Sequence, residues 1–293
     1  MSEFVRILQR ARDERAKAQS SPQVGAFERP ATSAVPTAPP VAPRAPRDSL
    51  APPPPTKPLK SLAGVEGHLV SLLDPTSLLA EPYRVVRHLL EQLHRTAQVS
   101  VVAVSSAGVA EGKTTTAINL AGALAQSSDA RVLLVDADLR TASVARHLAL
   151  GRAGRRGLVD AILDPGLGLD EVVIPRPPFN LDVLPAGALR SDPYEVLKSP
   201  RLGDLLAEAR RRYDYVVLDT APLVAVPDSL PIDKWVDGLL LVVAAHRTPR
   251  RLVAETLGLI DPAKLIAFLF NGDDVRASRY SYSSRMSRPK SST

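Results

Sequence analysis

No cysteine occurs anywhere in the sequence, which excludes a disulfide framework and any thiolate metal site and suits a reducing compartment. Long apolar runs are missing as well. Stretches such as residues 238–245 fall well short of the roughly 20 residues that span a bilayer, and residues 1–20 are too charged for a signal peptide. The expected location is therefore cytoplasmic, with any membrane association borrowed from a partner. Aromatic residues make up only 4% of the chain. Few of them interleave with the scattered basic residues behind the net charge of +6, so no nucleic-acid surface is indicated. The five histidines show no metal-ligand spacing, and no serine, histidine and aspartate arrangement suggests a hydrolase triad.

What is present divides the chain into four. In residues 1–18, Phe4, Ile7, Leu8 and Ala11 share one helical face among charged neighbours, the pattern of a short amphipathic helix. Residues 19–61 are rich in proline and alanine and poor in large apolar residues. Such a segment cannot bury a core and is expected to be a disordered tether. Residues 62–275 carry the pattern of a globular domain, and 276–293 form a basic, tyrosine- and serine-containing tail expected to be flexible. Candidate strands at 99–105, 131–136, 180–185, 213–220, 238–244 and 264–271 alternate with helical patterns at 77–93, 114–125, 201–212 and 250–260. Several strands are near-continuous Val/Leu/Ile runs, as a strand needs when helices cover both faces. The expectation is an α/β fold with a doubly wound, mostly parallel sheet.

Three segments carry chemistry. Ala107-Gly108-Val109-Ala110-Glu111-Gly112-Lys113-Thr114, between the first strand and its helix, matches a phosphate-binding loop with alanine for the usual first glycine. In such a loop, consecutive N–H groups and the helix N-terminus converge on phosphate oxygens. Residues from Gly108 to Thr115 are thus expected to cradle Mg-ATP, with Lys113 directed at the β- and γ-phosphates and the Thr114 hydroxyl ligating magnesium. The next strand ends in Asp136-Ala137-Asp138-Leu139-Arg140, two carboxylates and an arginine where α/β folds place ligands. A later strand ends in Asp219, the carboxylate that positions magnesium in P-loop NTPases. Asp136 is expected to join Thr114 and Asp219 at the metal, and Arg140 to steady these carboxylates or the phosphates.

Together the three segments resemble the bacterial tyrosine kinases of capsule and exopolysaccharide synthesis, relatives of the chromosome-partitioning and septum-site ATPases. The match runs over about residues 62–279. Ala221 replaces the first proline of the D[ST]PP ending of the third motif, and Gly108 stands where the partitioning class carries an extra lysine. Upstream, Glu81, Arg84 and Arg87 fit the ExxRxxR helix through which these kinases contact neighbouring subunits. The resemblance implies a P-loop fold, an ATP- and Mg2+-dependent protein-tyrosine autokinase, and a homo-oligomeric ring dismantled when a neighbour phosphorylates the tail. It also implies that Asp136 or Asp138 orients or deprotonates the incoming tyrosine hydroxyl, whose pKa near 10 calls for assistance. Tyr280 and Tyr282 are the tail's two tyrosines, whereas Tyr83, Tyr194, Tyr213 and Tyr215 read first as packing or surface residues. It further implies a separate membrane-anchored polysaccharide co-polymerase that activates the enzyme and recruits it to the inner membrane, and a cognate phosphotyrosine phosphatase. Two other readings stand beside it: a non-kinase nucleotide-switch ATPase, and a low-turnover ATP-binding regulatory subunit of a polysaccharide assembly complex.

Overall fold

The computed structural model describes residues 64–225 and 227–272. The amphipathic pattern and the linker lie outside these residues, as does the tail with Tyr280 and Tyr282. The described strands are β1 (Val101–Ser106), β2 (Val132–Ala137), β3 (Ile174–Pro175), β4 (Leu181–Leu184), β5 (Tyr215–Thr220), β6 (Gly238–Ala244) and β7 (Leu265–Asn271). They form one sheet in the order β3-β4-β2-β5-β1-β6-β7, parallel throughout except for β3 against β4. The helices are α1 (Val70–Leu73), α2 (Glu81–Ala97), α3 (Lys113–Leu124), α4 (Val144–His147), α5 (Leu158–Leu163), α6 (Leu169–Val172), α7 (Pro193–Lys198), α8 (Pro200–Arg212) and α9 (Arg250–Leu257). Among the described residues no helix is long and apolar enough to cross a membrane.

The apolar strands are explained by what covers them. Val101, Ala103, Leu133 and Val135 face one core, shared with Leu202, Leu205, Leu206 and Ala209 of α8. The alternate residues Val102, Val104, Val132 and Leu134 face a second core, shared with Ile118, Leu120, Ala121 and Leu124 of α3. Side chains point to opposite faces every residue along a strand, so a strand between two helical layers must be apolar at every position. β1, β2, β5 and β6 are buried at every position. Helix α3 is also buried along most of its length, including Thr114, Thr116 and Asn119, because α1 and α2 roof it on the side away from the sheet.

Three helix boundaries differ from the sequence pattern by three or four residues. The pattern at 77–93 begins as a 3-10 turn at Leu78–Ala80 before α2 starts at Glu81, with proline in its first turn as the missing N–H there allows. It ends past 93, at Ala97, where Gln98 adopts φ 54° and its N–H closes on His94. Helix α9 stops at Leu257, with Gly258 at its C-cap, short of residue 260. Strand β3, two residues long, is too brief to produce a periodicity.

Candidate active site

The carboxyl ends of β1, β2 and β5 meet where the chain order of the sheet reverses, the place at which open α/β sheets bind ligands. Asp136, near the end of β2, pairs in register with Asp219 of β5, and Asp219 pairs in turn with Val104 of β1. The loop from Ala107 to Gly112 leaves β1 and turns into α3. Gly112 has φ 87°, and a Cβ there would lie 2.0 Å from Asn271 Nδ2, so backbone geometry and space both require glycine. Ala110 also takes positive φ, 57°. The Glu111 side chain folds inward and is buried. It accepts the Ala107 N–H at 3.1 Å and the Thr248 hydroxyl at 2.6 Å. Asn271 Nδ2 donates to the Glu111 carbonyl at 3.0 Å, so the loop is braced from the β6–α9 connection and from the end of β7.

Five of the residues singled out by motif come together. Lys113 Nζ lies 2.5 Å from Asp138 Oδ2, and Asp138 also accepts the Thr141 hydroxyl at 2.7 Å and the Thr141 N–H at 3.1 Å. The Thr114 hydroxyl donates to Asp219 Oδ2 at 2.6 Å. Asp136 Oδ2 accepts the N–H groups of Ser143 and Val144, both at 3.1 Å, which fixes the carboxylate against the start of α4. Arg140 stands apart. Its guanidinium is bidentate on Asp228, from the 3-10 segment Pro227–Trp235, and Asp138 acts on it through charge and not through a hydrogen bond.

Burial and like charge set the protonation of this cluster. Burial, then the Asp219 charge, push the Asp136 carboxyl up to about 8. Burial pushes Asp219 up to about 6 against the opposing pull of Lys113 and Thr114. Burial also works to raise Asp138, but the Lys113 hydrogen bond and charge, with Thr141, outweigh it and hold the pKa below the usual aspartate range. For Lys113 burial works to lower the pKa, and Asp219, Asp138 and Asp136 reverse it, so the ammonium is held charged.

The carboxylate oxygens Asp136 Oδ1 and Asp219 Oδ1 are buried and have no hydrogen-bond partner. Leaving two such acceptors unpaired is costly, and two adjacent carboxylates with raised pKa values lack only a cation to be stable when ionised. With the Thr114 hydroxyl beside them, this hard-oxygen set fits a magnesium ion carried in with nucleotide phosphates.

On the α2 surface, Arg84 pairs with Glu81 at 2.7 Å and donates to the Pro75 carbonyl at 2.8 Å. Arg87 pairs with Glu91 at 2.6 Å and donates to the Ala123 carbonyl at 3.0 Å, at the end of α3. Both arginines therefore have partners within the chain. Thr141, Ser143, Thr248, Asn271 and Asp228 carry no motif signal and emerge only from the folded arrangement.

The AAA domain family matches residues 98–229, the span from β1 past the end of β5. The tyrosine-protein kinase YwqD of Bacillus subtilis is 33% identical over 221 residues, covering 74% of this chain and 92% of that protein. The succinoglycan biosynthesis transport protein ExoP of Rhizobium meliloti is 34% identical over 212 residues, 69% of this chain and 26% of ExoP. This chain thus corresponds to about a quarter of that longer relative. Among solved structures, the kinase domain of the Escherichia coli tyrosine kinase ETK superposes with a TM-score of 0.64 at 26% identity, over 70% of this chain and 79% of that one.

Proposed function

Because the chain belongs to the bacterial tyrosine-protein kinase family, we propose that it is an ATP- and Mg2+-dependent protein-tyrosine autokinase serving exopolysaccharide or capsule production. The observation that carries this reading is the meeting of Lys113, Thr114, Asp136, Asp138 and Asp219 at one sheet edge, with Asp138 held against the phosphate-loop lysine. The kinase domain spans residues 62–275, and 276–293 is the substrate tail.

Residues from Gly108 to Thr115 bind the nucleotide phosphates through backbone N–H groups and the start of α3. Thr114, Asp136 and Asp219 would hold magnesium, which would supply charge neutralisation at the β- and γ-phosphates. Drawn to those phosphates, Lys113 leaves Asp138, whose Oδ2 is then open to a neighbour's tyrosine hydroxyl. That carboxylate orients the phenol and takes its proton as the phenolic oxygen attacks the γ-phosphorus and the bond to the β-phosphate oxygen breaks. Asp136 stays fixed through Oδ2 by the Ser143 and Val144 N–H groups, which would leave its Oδ1 for the ion. Arg140, anchored on Asp228, steadies the carboxylates or the phosphates. Catalysis of this kind is mostly positioning and electrostatics.

Ring assembly through Glu81, Arg84 and Arg87, recruitment to the cytoplasmic face of the inner membrane by a co-polymerase, and reversal by a phosphotyrosine phosphatase complete the reading. The test is mass spectrometry of full-length protein incubated with Mg-ATP, with and without a co-expressed membrane partner. Phosphotyrosine on the chain is expected. Nucleotide turnover with no phosphotyrosine under either condition would replace this reading with that of a nucleotide switch.

A further inference from the structure

A second cluster of ligand-type side chains lies outside the phosphate site, where the segment leading into α1 rests on the end of α4. The Glu66 N–H donates to the His147 carbonyl at 3.2 Å. Glu66 Oε2 lies 2.7 Å from His147 Nδ1 and 3.4 Å from His68 Nε2, and the two imidazoles meet edge to face with centroids 5.3 Å apart. One ligand atom from each of the three residues falls within 4.8 Å of the others. Spacing along the chain gives no sign of this, since His68 and His147 are brought together only by the fold.

We propose that Glu66, His68 and His147 form a binding site for a divalent transition-metal ion of the zinc type, which ties the entry segment to α4. Two imidazoles and one carboxylate, with a fourth position left to water, are a donor set zinc takes readily. Magnesium and calcium prefer all-oxygen sets, so the site is chemically distinct from the Asp136 and Asp219 pair. Ligand bonds of about 2.0–2.2 Å in a tetrahedron require ligand atoms about 3.3 Å apart, a spacing that the 2.7 and 3.4 Å separations bracket. Exposure rises from 11% at His147 through 30% at Glu66 to 45% at His68, which leaves a path from solvent.

Arg146 is the competitor. Its Nη1 lies 3.1 Å from Glu66 Oε1 and its Nη2 3.3 Å from His147 Nε2, so the guanidinium now uses the outer edges of both ligands. When the ion takes His147 Nδ1, the neutral ring carries its proton on Nε2, and Arg146, 70% exposed, swings from that nitrogen into water. Burial, with smaller contributions from Arg146 and His68, lowers the His147 pKa against the pull of Glu66, and the neutral ring is the form that binds metal. The consequence reaches the phosphate site, because the other end of α4 supplies the Val144 N–H that holds Asp136.

Full-length protein, stripped of metal by a chelator and kept in excess Mg2+ to saturate oxygen-donor sites, is titrated with Zn2+ against a chromophoric chelator, with thermal unfolding followed in parallel. One tight Zn2+ equivalent per chain and a higher unfolding midpoint are expected. A His68→Gln, His147→Gln double variant should lose affinity by at least the roughly tenfold that even an outer-shell partner contributes. His88→Gln, on the exposed side of α2, should bind as wild type. Failure of the wild type to bind a tight equivalent overturns the proposal whatever the variants do, as does equal binding by wild type and double variant.

Discussion

Lys113 Nζ and Asp138 Oδ2 lie 2.5 Å apart, and Thr141 gives the same carboxylate its hydroxyl and its N–H. The carboxylate therefore keeps two donors after the ammonium is drawn away. Lys113→Met should accordingly lower stability by about 1–3 kcal/mol, less than the roughly 3–5 kcal/mol of a buried charge stripped of its partner. Phosphotyrosine formation should fall by about 10²–10³ or more, the scale of losing one transition-state donor. Adding Asp138→Asn should recover stability without recovering phosphorylation. Wild-type phosphorylation in Lys113→Met would remove that residue from the mechanism.

Protonation of Asp136 and Asp219 couples stability to pH in the direction opposite to a salt-bridged aspartate. Burial raises Asp136 to about 8 and Asp219 to about 6, so the folded protein holds protons that the unfolded chain has released. Nucleotide-free protein should be most stable near pH 4 as far as these two groups decide it. That contribution is lost as pH rises through about 6 and then about 8. Asp136→Asn should flatten the upper part of this decline and raise the unfolding midpoint at pH 8. Parallel melting-temperature curves for the two proteins between pH 6 and pH 8.5 would contradict the assignment.

The two arginines of α2 should behave alike in stability when replaced singly. Arg87 closes the Ala123 carbonyl at the end of α3, and Arg84 closes the Pro75 carbonyl, so either alanine variant should cost about 1 kcal/mol, with the exposed Arg84–Glu81 pair adding little. If this face joins subunits, both variants should form smaller assemblies by light scattering while binding ATP as before. An unchanged mass distribution in Arg84→Ala would return the face to ordinary surface charge.

The tail assignment is tested by a Tyr280→Phe, Tyr282→Phe double variant incubated with ATP and the membrane partner. The packed tyrosines are poor substrates: Tyr213 is buried, and its hydroxyl donates to Asp182 at 2.7 Å, so its phosphorylation needs local unfolding. Each phosphate adds about −1.5 to −2 charges, and gel mobility with mass spectrometry should show their loss in the double variant. A full phosphotyrosine signal there would move the target elsewhere.

Six of the seven described strands were legible: β1, β2, β5 and β6 because burial on both faces leaves an almost uninterrupted apolar run, and β4 and β7 as apolar stretches less completely covered. Their order relative to the helices pointed to the α/β class. Gly258 marks the stop of α9 in the sequence as well, although the apolar spacing continues to residue 260. The phosphate loop and the aspartate-ended strands announced themselves as contiguous motifs. The bracing of that loop did not, since Thr248 and Asn271 are single polar residues far along the chain with no local pattern. Arg140 illustrates the same limit: its spacing after Asp138 suggested a partner in the motif, whereas the fold delivers Asp228 from a connection that shows no periodicity.

The pairing of β2 with β5 has a consequence for which changes the protein can absorb. Apart from the two aspartates, the residues of these strands serve as a ruler, and any apolar side chain of fitting volume keeps its graduations. A single inserted or deleted residue would advance one carboxylate by about 3.3 Å and turn it to the opposite face of the sheet. Mutation can therefore rewrite the composition of β2 and β5 freely within the apolar alphabet, while their length is held to the residue.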